Sequence, residues 1–445
     1  MKDMIAPALK EKSAYRALFE STHTNGNSAP SWVEELRENA LERFDELGFP
    51  TVDQEDWKYT NVASIAKNTF TFATGRRDIA AELAPFIYAE AKSSRLVFVN
   101  GVYRADFSSI ASLPAGVVVV NLREAFSGEH AETLRGYLAR SRAEDEDAFT
   151  ALNTAFLGDG AFLLVPKGVR VDAPVHLLFL ADAAGEKPIA FPRVLIVAER
   201  GSEATVIESY AAIDESVYFT DAVTEIFVGE GARLVHYKVQ RESERAFHIA
   251  QTHADLGRDS VFDSTTITLG AQLSRHGINV QLDHPGVECH VDGLYLVGDG
   301  QHADTHSIID HRQPHCASRQ NYKGILDGKS RAVFNGRVFV RRDAQKTDAV
   351  QSNKNLLLSN EARVDTKPQL EIFADDVKCA HGATVGQLEE EELFYLASRG
   401  LHPELARNLL TYGFAEELIE KIKIESIKTQ LDEAILNRLN ARLEA

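Results

Sequence analysis

The chain has 445 residues, of which 44% are hydrophobic and 26% charged, enough for one large core or two to three domains. Its formal net charge is −18, from 48 Lys and Arg against 66 Asp and Glu. That balance argues against nucleic acid or an anionic membrane as the main partner and favours solubility and protein partners with basic surfaces.

Residues 1–13 are polar and lack the apolar h-region of a secretory signal. The longest apolar runs, 116–120 and 175–180, are far too short to span a bilayer. The expectation is a soluble, cytoplasmic protein. Cys289, Cys316 and Cys379 make no disulfide framework; in a reducing compartment they are free thiols, metal ligands or buried small hydrophobes.

Ser31 and Glu34 stand at capping-box spacing. Val33, Leu36, Ala40, Phe44 and Leu47 then recur every three or four residues, which predicts a helix stopped by Gly48. A loop through Pro50 leads to Glu55-Asp56-Trp57-Lys58-Tyr59-Thr60. Strand-like segments follow at 95–100 and 117–121. Residues 130–157 read as helical, with Leu134, Tyr137, Leu138, Phe149, Leu152 and Phe156 as core positions.

From about residue 160 to 388 short β-rich runs alternate with Gly, Asp and Asn turns. Gly201-Ser-Glu-Ala-Thr-Val, Gly229-Glu-Gly-Ala-Arg-Leu, Gly257-Arg-Asp-Ser-Val-Phe and Gly286-Val-Glu-Cys-His-Val resemble one another, with leading glycines 28, 28 and 29 residues apart. Gly300 lies 14 further on, and Gly328 lies 28 beyond that. A fixed period in this range means stacked repeats. These repeats hold turns and β-branched residues and no helix, so a parallel β-helix is the best reading. A propeller blade takes about 40–45 residues, which is too long. Each coil leaves an apolar face for the next to bury, and the two ends need covers, for which the flanking helical segments are suitable.

Helix returns after Gly386. Residues 389–392 open it with carboxylates, which suits the positive end of the helix dipole, and Gly400 closes it. Pro403 opens the next helix and Gly413 is expected to end it. In the last, Ile427, Leu431, Ile435, Leu439 and Leu443 form an amphipathic stripe that either packs on its own domain or docks a partner subunit. The division is therefore an N-terminal helical and mixed region (1–160), a β-helix core (161–385) and a C-terminal helical domain (386–445).

No phosphate-binding loop, dinucleotide fingerprint or serine-hydrolase elbow is present. Seven of the 15 histidines and two of the three cysteines fall within residues 276–316. His302/His306 and His311/His315 are each four apart and would share a strand face. They could hold zinc or iron, or serve as hydrogen-bonding side chains on the surface or in the core; the spacing fits no zinc motif. Cys379 and His381 are two apart, so in an extended chain they face the same way. Thiolate plus imidazole suits iron or zinc, but two ligands are too few for a closed site. A partner chain or a sulfide-bridged cluster would have to supply the rest.

Residues 375–386 (DDVKCAHGATVG), followed by Phe394-Tyr395-Leu396 and Ser398-Arg399-Gly400, resemble the C-terminal signature of the SufB/SufD family of iron–sulfur cluster assembly proteins, on its SufD side. So do Gln301-His302-Ala303-Asp304-Thr305-His306 with His311, and Phe334-Asn335-Gly336 with Val340. Thr347, Gln351 and Leu356-Leu357-Leu358-Ser359, residues 55–60, Ala151-Leu152-Asn153 and Val165-Pro166-Lys167-Gly168 complete a pattern that covers nearly the whole chain. The resemblance implies a right-handed parallel β-helix flanked by N- and C-terminal helical regions. It implies a non-enzymatic scaffold of a SufBCD complex for iron–sulfur cluster assembly. Its partners would be SufB, through the β-helix, and the SufC ATPase, through the C-terminal helical domain. The paralogy of SufB and SufD makes a homodimer of the isolated chain a further expectation. The family's sulfur-accepting subunit, SufB, has a cysteine where this chain has Asp255-Leu256-Gly257-Arg258. SufB has another near the stretch that here reads Gln351-Ser352-Asn353. The resemblance therefore removes the sulfur-acceptor role. It implies that His381, with Cys379 beside it, is the metal ligand this subunit lends to a transient iron–sulfur cluster shared with SufB, and that no nucleotide binds here. The competing readings are a stand-alone metal-binding β-helix protein built on residues 276–316, or a β-helix enzyme such as a polysaccharide lyase.

Overall fold

The computed structural model describes residues 14–21, 29–74, 77–111, 113–140 and 147–440. Its centre is a parallel β-solenoid of about eight turns with helices toward the termini. Each coil carries two strands, so two sheets face each other across a filled interior. The first runs from Ser94–Val99 through Val175–Ala181, Glu203–Ala212, Arg233–Arg241, Val261–Leu269, Glu288–Val297, Ala317–Leu326 and Asp348–Leu357 to Lys378–Gly386. The second runs from Gly160–Val165 through Arg193–Ala198, Phe219–Val228, Phe247–Leu256, Leu273–Leu282, His302–His311 and Arg331–Val340 to Arg363–Ile372. Leu234 pairs with Phe262 and Cys289 with Ser318, so the register repeats the glycine period.

The glycines mark a crowded turn. Gly201, Gly229, Gly257 and Gly286 precede strands of the first sheet, whereas Gly300 and Gly328 precede strands of the second; this explains the half-period step. A Cβ on Gly257 would lie 2.9 Å from the Glu230 nitrogen, and one on Gly229 would lie 2.8 Å from the Arg200 nitrogen. Successive coils approach too closely there for any side chain.

An apolar column runs through the interior and includes Val206, Leu234, Phe262, Cys289, Val291 and Phe334. Both outer faces are covered as well. N-terminal helices pack Phe44, Trp57, Phe149 and Phe156 on Phe219, Phe247 and Ile249 of the second sheet. C-terminal helices pack Leu418, Ile427, Leu431 and Ile435 on Val235, Tyr237, Ile267 and Leu294 of the first. With both strand faces buried, strands read as near-continuous apolar runs.

Several expectations are corrected in detail. The first predicted helix spans Ser31–Leu47, but Pro30 is its N-cap and Ser31 already lies inside it. The predicted box does not form; the Glu34 carboxylate accepts instead from the Ala29 N–H, one residue ahead of the cap, at 2.9 Å. Among the described residues, 130–157 hold two helices, Ala131–Tyr137 and Ala148–Ala155, the second capped by Asp147 accepting from the Phe149 and Thr150 N–H groups. Gly413 lies inside Pro403–Ile419 and does not end it. Of the amphipathic stripe, Ile427, Leu431 and Ile435 are buried on the chain's own solenoid, which removes them as a docking surface. Leu443 and the side chain of Leu439 lie outside the described residues.

The covers also differ from expectation. At the N-terminal end Ser94–Val99 is flanked by antiparallel Val102–Tyr103 and Ser109–Ile110, and Gly160–Val165 by antiparallel Val118–Asn121. At the other end the C-terminal helices lie across a sheet face. Among the described residues, the last strands, Lys378–Gly386 and Arg363–Ile372, each pair on one side only.

Candidate metal centre

Cys379 and His381 both lie on Lys378–Gly386, the terminal strand of the first sheet. Parallel register places Cys379 beyond Ala349 and His381 beyond Gln351. Ala349 and Gln351 point inward and are buried, so period-2 alternation turns Cys379 and His381 toward the solenoid axis. No further coil covers them. His381 is exposed, and Cys379 is half-buried against the end of the apolar column. Burial pushes the Cys379 thiol up, so unaided it is a thiol, and a bound metal would be needed to hold it as thiolate. The two residues thus form one patch at the uncovered end, as their spacing predicts.

The histidines of residues 276–316 do not converge. His276 is buried, with Nε2 3.0 Å from Thr252 Oγ1 and Nδ1 3.4 Å from Thr266 Oγ1. His311 Nε2 lies 2.9 Å from Ser318 Oγ. His290, half-exposed, pairs with Asp263 at 2.5 Å. His306 pairs with Asp304 at 3.1 Å. Cys289 and Cys316 are buried in the apolar column. Among the described residues no group of three or more His, Cys, Asp or Glu is placed to hold a metal ion. That removes residues 276–316 as a self-contained metal centre.

The pair His302/His306 has a structural explanation instead. The segment at Glu55–Thr60 crosses the outer face of the second sheet. The Thr60 hydroxyl donates to Asp304 Oδ2 at 2.5 Å and lies 2.9 Å from His302 Nε2, so the imidazole is the donor in that contact. Arg275 stacks 3.8 Å from the Trp57 ring and pairs with Asp304. Burial alone would raise the Asp304 carboxyl, but Arg275 and His306 hold it well below the usual range. Lys367 binds Glu55 at 2.7 Å. These residues fasten the N-terminal segment to three strands of the second sheet, Leu273–Leu282, His302–His311 and Arg363–Ile372. Asn153 does likewise, its amide donating to the Pro192 and Asp221 carbonyls at 3.0 and 2.7 Å.

Sequence reasoning missed a buried ionic cluster inside the early coils. Tyr210 and Thr224 donate to Glu208 at 2.6 and 2.9 Å, and His236 Nε2 lies 3.2 Å from it. Lys238 Nζ is 2.9 Å from His248 Nε2, whose Nδ1 is 3.0 Å from Glu242. Burial would raise Glu208, but His236, Lys238 and Tyr210 bring it down to about 2. Burial lowers Lys238 to about 8. Glu208, His236 and Lys238 share the inward phase with Val206 and Leu234, but both faces of these strands are buried, so no alternation in the sequence marks that phase.

Comparison with known proteins decides the family. Residues 179–414 match the model of the SUF system FeS cluster assembly SufBD core domain, and residues 9–177 that of the SufBD protein N-terminal region. The chain belongs to the SufBD family. It is 35% identical over 429 residues to an iron–sulfur cluster assembly SufBD family protein of Synechocystis sp., covering 94% of each chain. It is 33% identical over 405 residues to the iron–sulfur cluster assembly protein SufD of Escherichia coli, covering 91% of each. With SufD of Bacillus subtilis it shares 28% over 423 residues, 90% of this chain and 93% of that one. The family resemblance read from the motifs is borne out, and so is the parallel β-helix. Among the described residues no helix is long and apolar enough to cross a membrane.

Proposed function

We propose that this chain is the non-catalytic scaffold subunit of a cytoplasmic SufBCD complex, lending His381, with Cys379 in support, to an iron–sulfur cluster built as cargo at a shared interface with SufB. The observation that carries this reading is the uncovered end. It presents an imidazole and a thiol side by side, two strand edges free to pair, and too few ligands for a closed site. A second β-helix meeting this end would continue both sheets and could supply the missing ligands. In this reading residues 161–385 carry the SufB interface, residues 1–160 cover the opposite end and one face, and residues 386–445 dock SufC.

Exposed apolar side chains support the last assignment. Phe394, Tyr395, Leu405 and Leu409, on Glu390–Ser398 and Pro403–Ile419, are 77%, 57%, 54% and 51% exposed. Side chains of this kind on adjacent helices mark an interaction surface. SufC would then bring the phosphate-binding loop that this sequence does not contain. The test is co-purification with the organism's SufB and SufC homologues. The reading expects a ternary complex that loses SufC, and keeps SufB, in a Phe394→Asp/Leu405→Asp variant. A chain that retains SufC with both substitutions would refute the docking surface.

A further inference from the structure

Behind His381 the solenoid interior holds a file of polar side chains. The Gln320 amide donates to Ser307 Oγ at 2.6 Å, and the Gln351 amide donates to Gln320 Oε1 at 2.6 Å. All three residues are buried, Gln351 to within 1%. Gly336 faces the file across the interior: a Cβ there would lie 2.4 Å from Gln351 Nε2. The Phe334-Asn335-Gly336 and Thr347 to Gln351 motifs therefore meet in space, and glycine leaves the room that the amide occupies.

The file has a direction. Each donor points toward Ser307, so the chain of bonds ends in an acceptor, Gln351 Oε1. That oxygen is buried and has no hydrogen-bond partner among the described residues. An orphaned buried carbonyl costs roughly 1–3 kcal/mol. The next residue in register, on the same face, is His381. Neighbouring strands lie about 4.8 Å apart, within reach of a side-chain hydrogen bond. Metal-ligating histidines nearly always donate their second ring N–H to such an acceptor, which fixes tautomer and ring orientation.

We propose that Gln351 is the positioning residue for His381: its Oε1 accepts the Nδ1–H, and the Nε2 lone pair is left facing out of the open end. Nδ1 is the ring nitrogen nearer the His381 backbone; Nε2 is the farther one. This inference rests on the reading of His381 as a ligand, because a fixed outward lone pair has value only if something binds it. Gln351 touches no cargo itself.

The experiment is nitrogen-15 NMR of the histidine rings in the full-length, metal-free chain, about two pH units above the ordinary histidine value, with His381→Ala assigning the signal. The native chain is expected to show His381 mainly as the Nδ1–H tautomer, the minor form of the free histidine side chain in water. Gln351→Met, which keeps the shape and removes the acceptor, should move the population to Nε2–H by at least threefold. Gln351→Glu, which restores an acceptor, should return it. An Nε2–H majority in the native chain overturns the proposal without any variant, as does a Gln351→Met signal identical to the native one. Cluster yield on the His381→Ala complex separates the two claims. The tautomer shift with unchanged yield leaves Gln351 as a positioning residue and removes His381 as a ligand.

Discussion

The two ends of the solenoid are finished in opposite ways. At the N-terminal end, antiparallel strands pair with the first coils and the Ala131–Tyr137 and Ala148–Ala155 helices pack over the second sheet. Arg193, fully buried, pairs with Glu225 at 2.7 Å and also donates to Asn153 and Thr154 at 3.1 Å. Glu225 in turn accepts from the Ala139 and Arg140 N–H groups. At the C-terminal end, among the described residues, the same kind of strand stops with its edge unpaired, and the helices that follow turn away onto a face. Unpaired edges invite association. In the proposed reading the first end carries stability and the second recognition.

Three variants break or sharpen that contrast. The largest effect is expected at the covered end. Arg193→Met leaves Glu225 buried without its counter-ion and should cost roughly 3–5 kcal/mol, read from denaturant unfolding. A loss below about 1 kcal/mol would show that the pair does not fasten the cover.

Next comes acid sensitivity. His176 is fully buried beside the Tyr88 ring, and burial lowers it to about 3. Unfolding restores the ordinary value near 6.5, so between these limits the unfolded chain binds the extra proton. Stability should therefore fall as pH drops below about 6.5, by up to roughly 5 kcal/mol from this group, and level off below about 3. His176→Gln should flatten that part of the stability–pH curve; an unchanged slope would contradict the assignment.

The smallest effect on stability belongs to the open end. Ile372 and Val385 are 41% and 49% exposed. Ile372→Lys with Val385→Lys should change stability by within about 0.5 kcal/mol each while abolishing association with SufB. Large destabilisation with association intact would reverse the roles of the two ends.

Much of this architecture was legible in the sequence, for physical reasons. The turn at Gly229 and Gly257 brings backbones within contact, so the glycine recurs and reveals the period. Cys379 and His381 are two apart on a strand, so their shared face followed from geometry alone. What stayed hidden depends on contacts distant in sequence. His302 and His306 looked like ligands because Thr60, which occupies one directly and the other through Asp304, lies more than 240 positions away. Gln351 meets His381 only through a register offset of 30 residues, and Gly336 meets it only across the interior. The C-terminal helices were read as an end cover because their apolar stripe shows that they pack without showing on what. Strands buried on both faces carry no alternation to mark Glu208, His236 and Lys238 as interior.

The most direct measurement of the central claim is anaerobic cluster reconstitution on the complex of this chain with SufB and SufC homologues, comparing native His381 with His381→Ala. The account predicts an intact complex of unchanged stoichiometry with cluster content, read from iron, sulfide and visible absorbance, reduced several-fold. Full cluster content on an intact His381→Ala complex would contradict it.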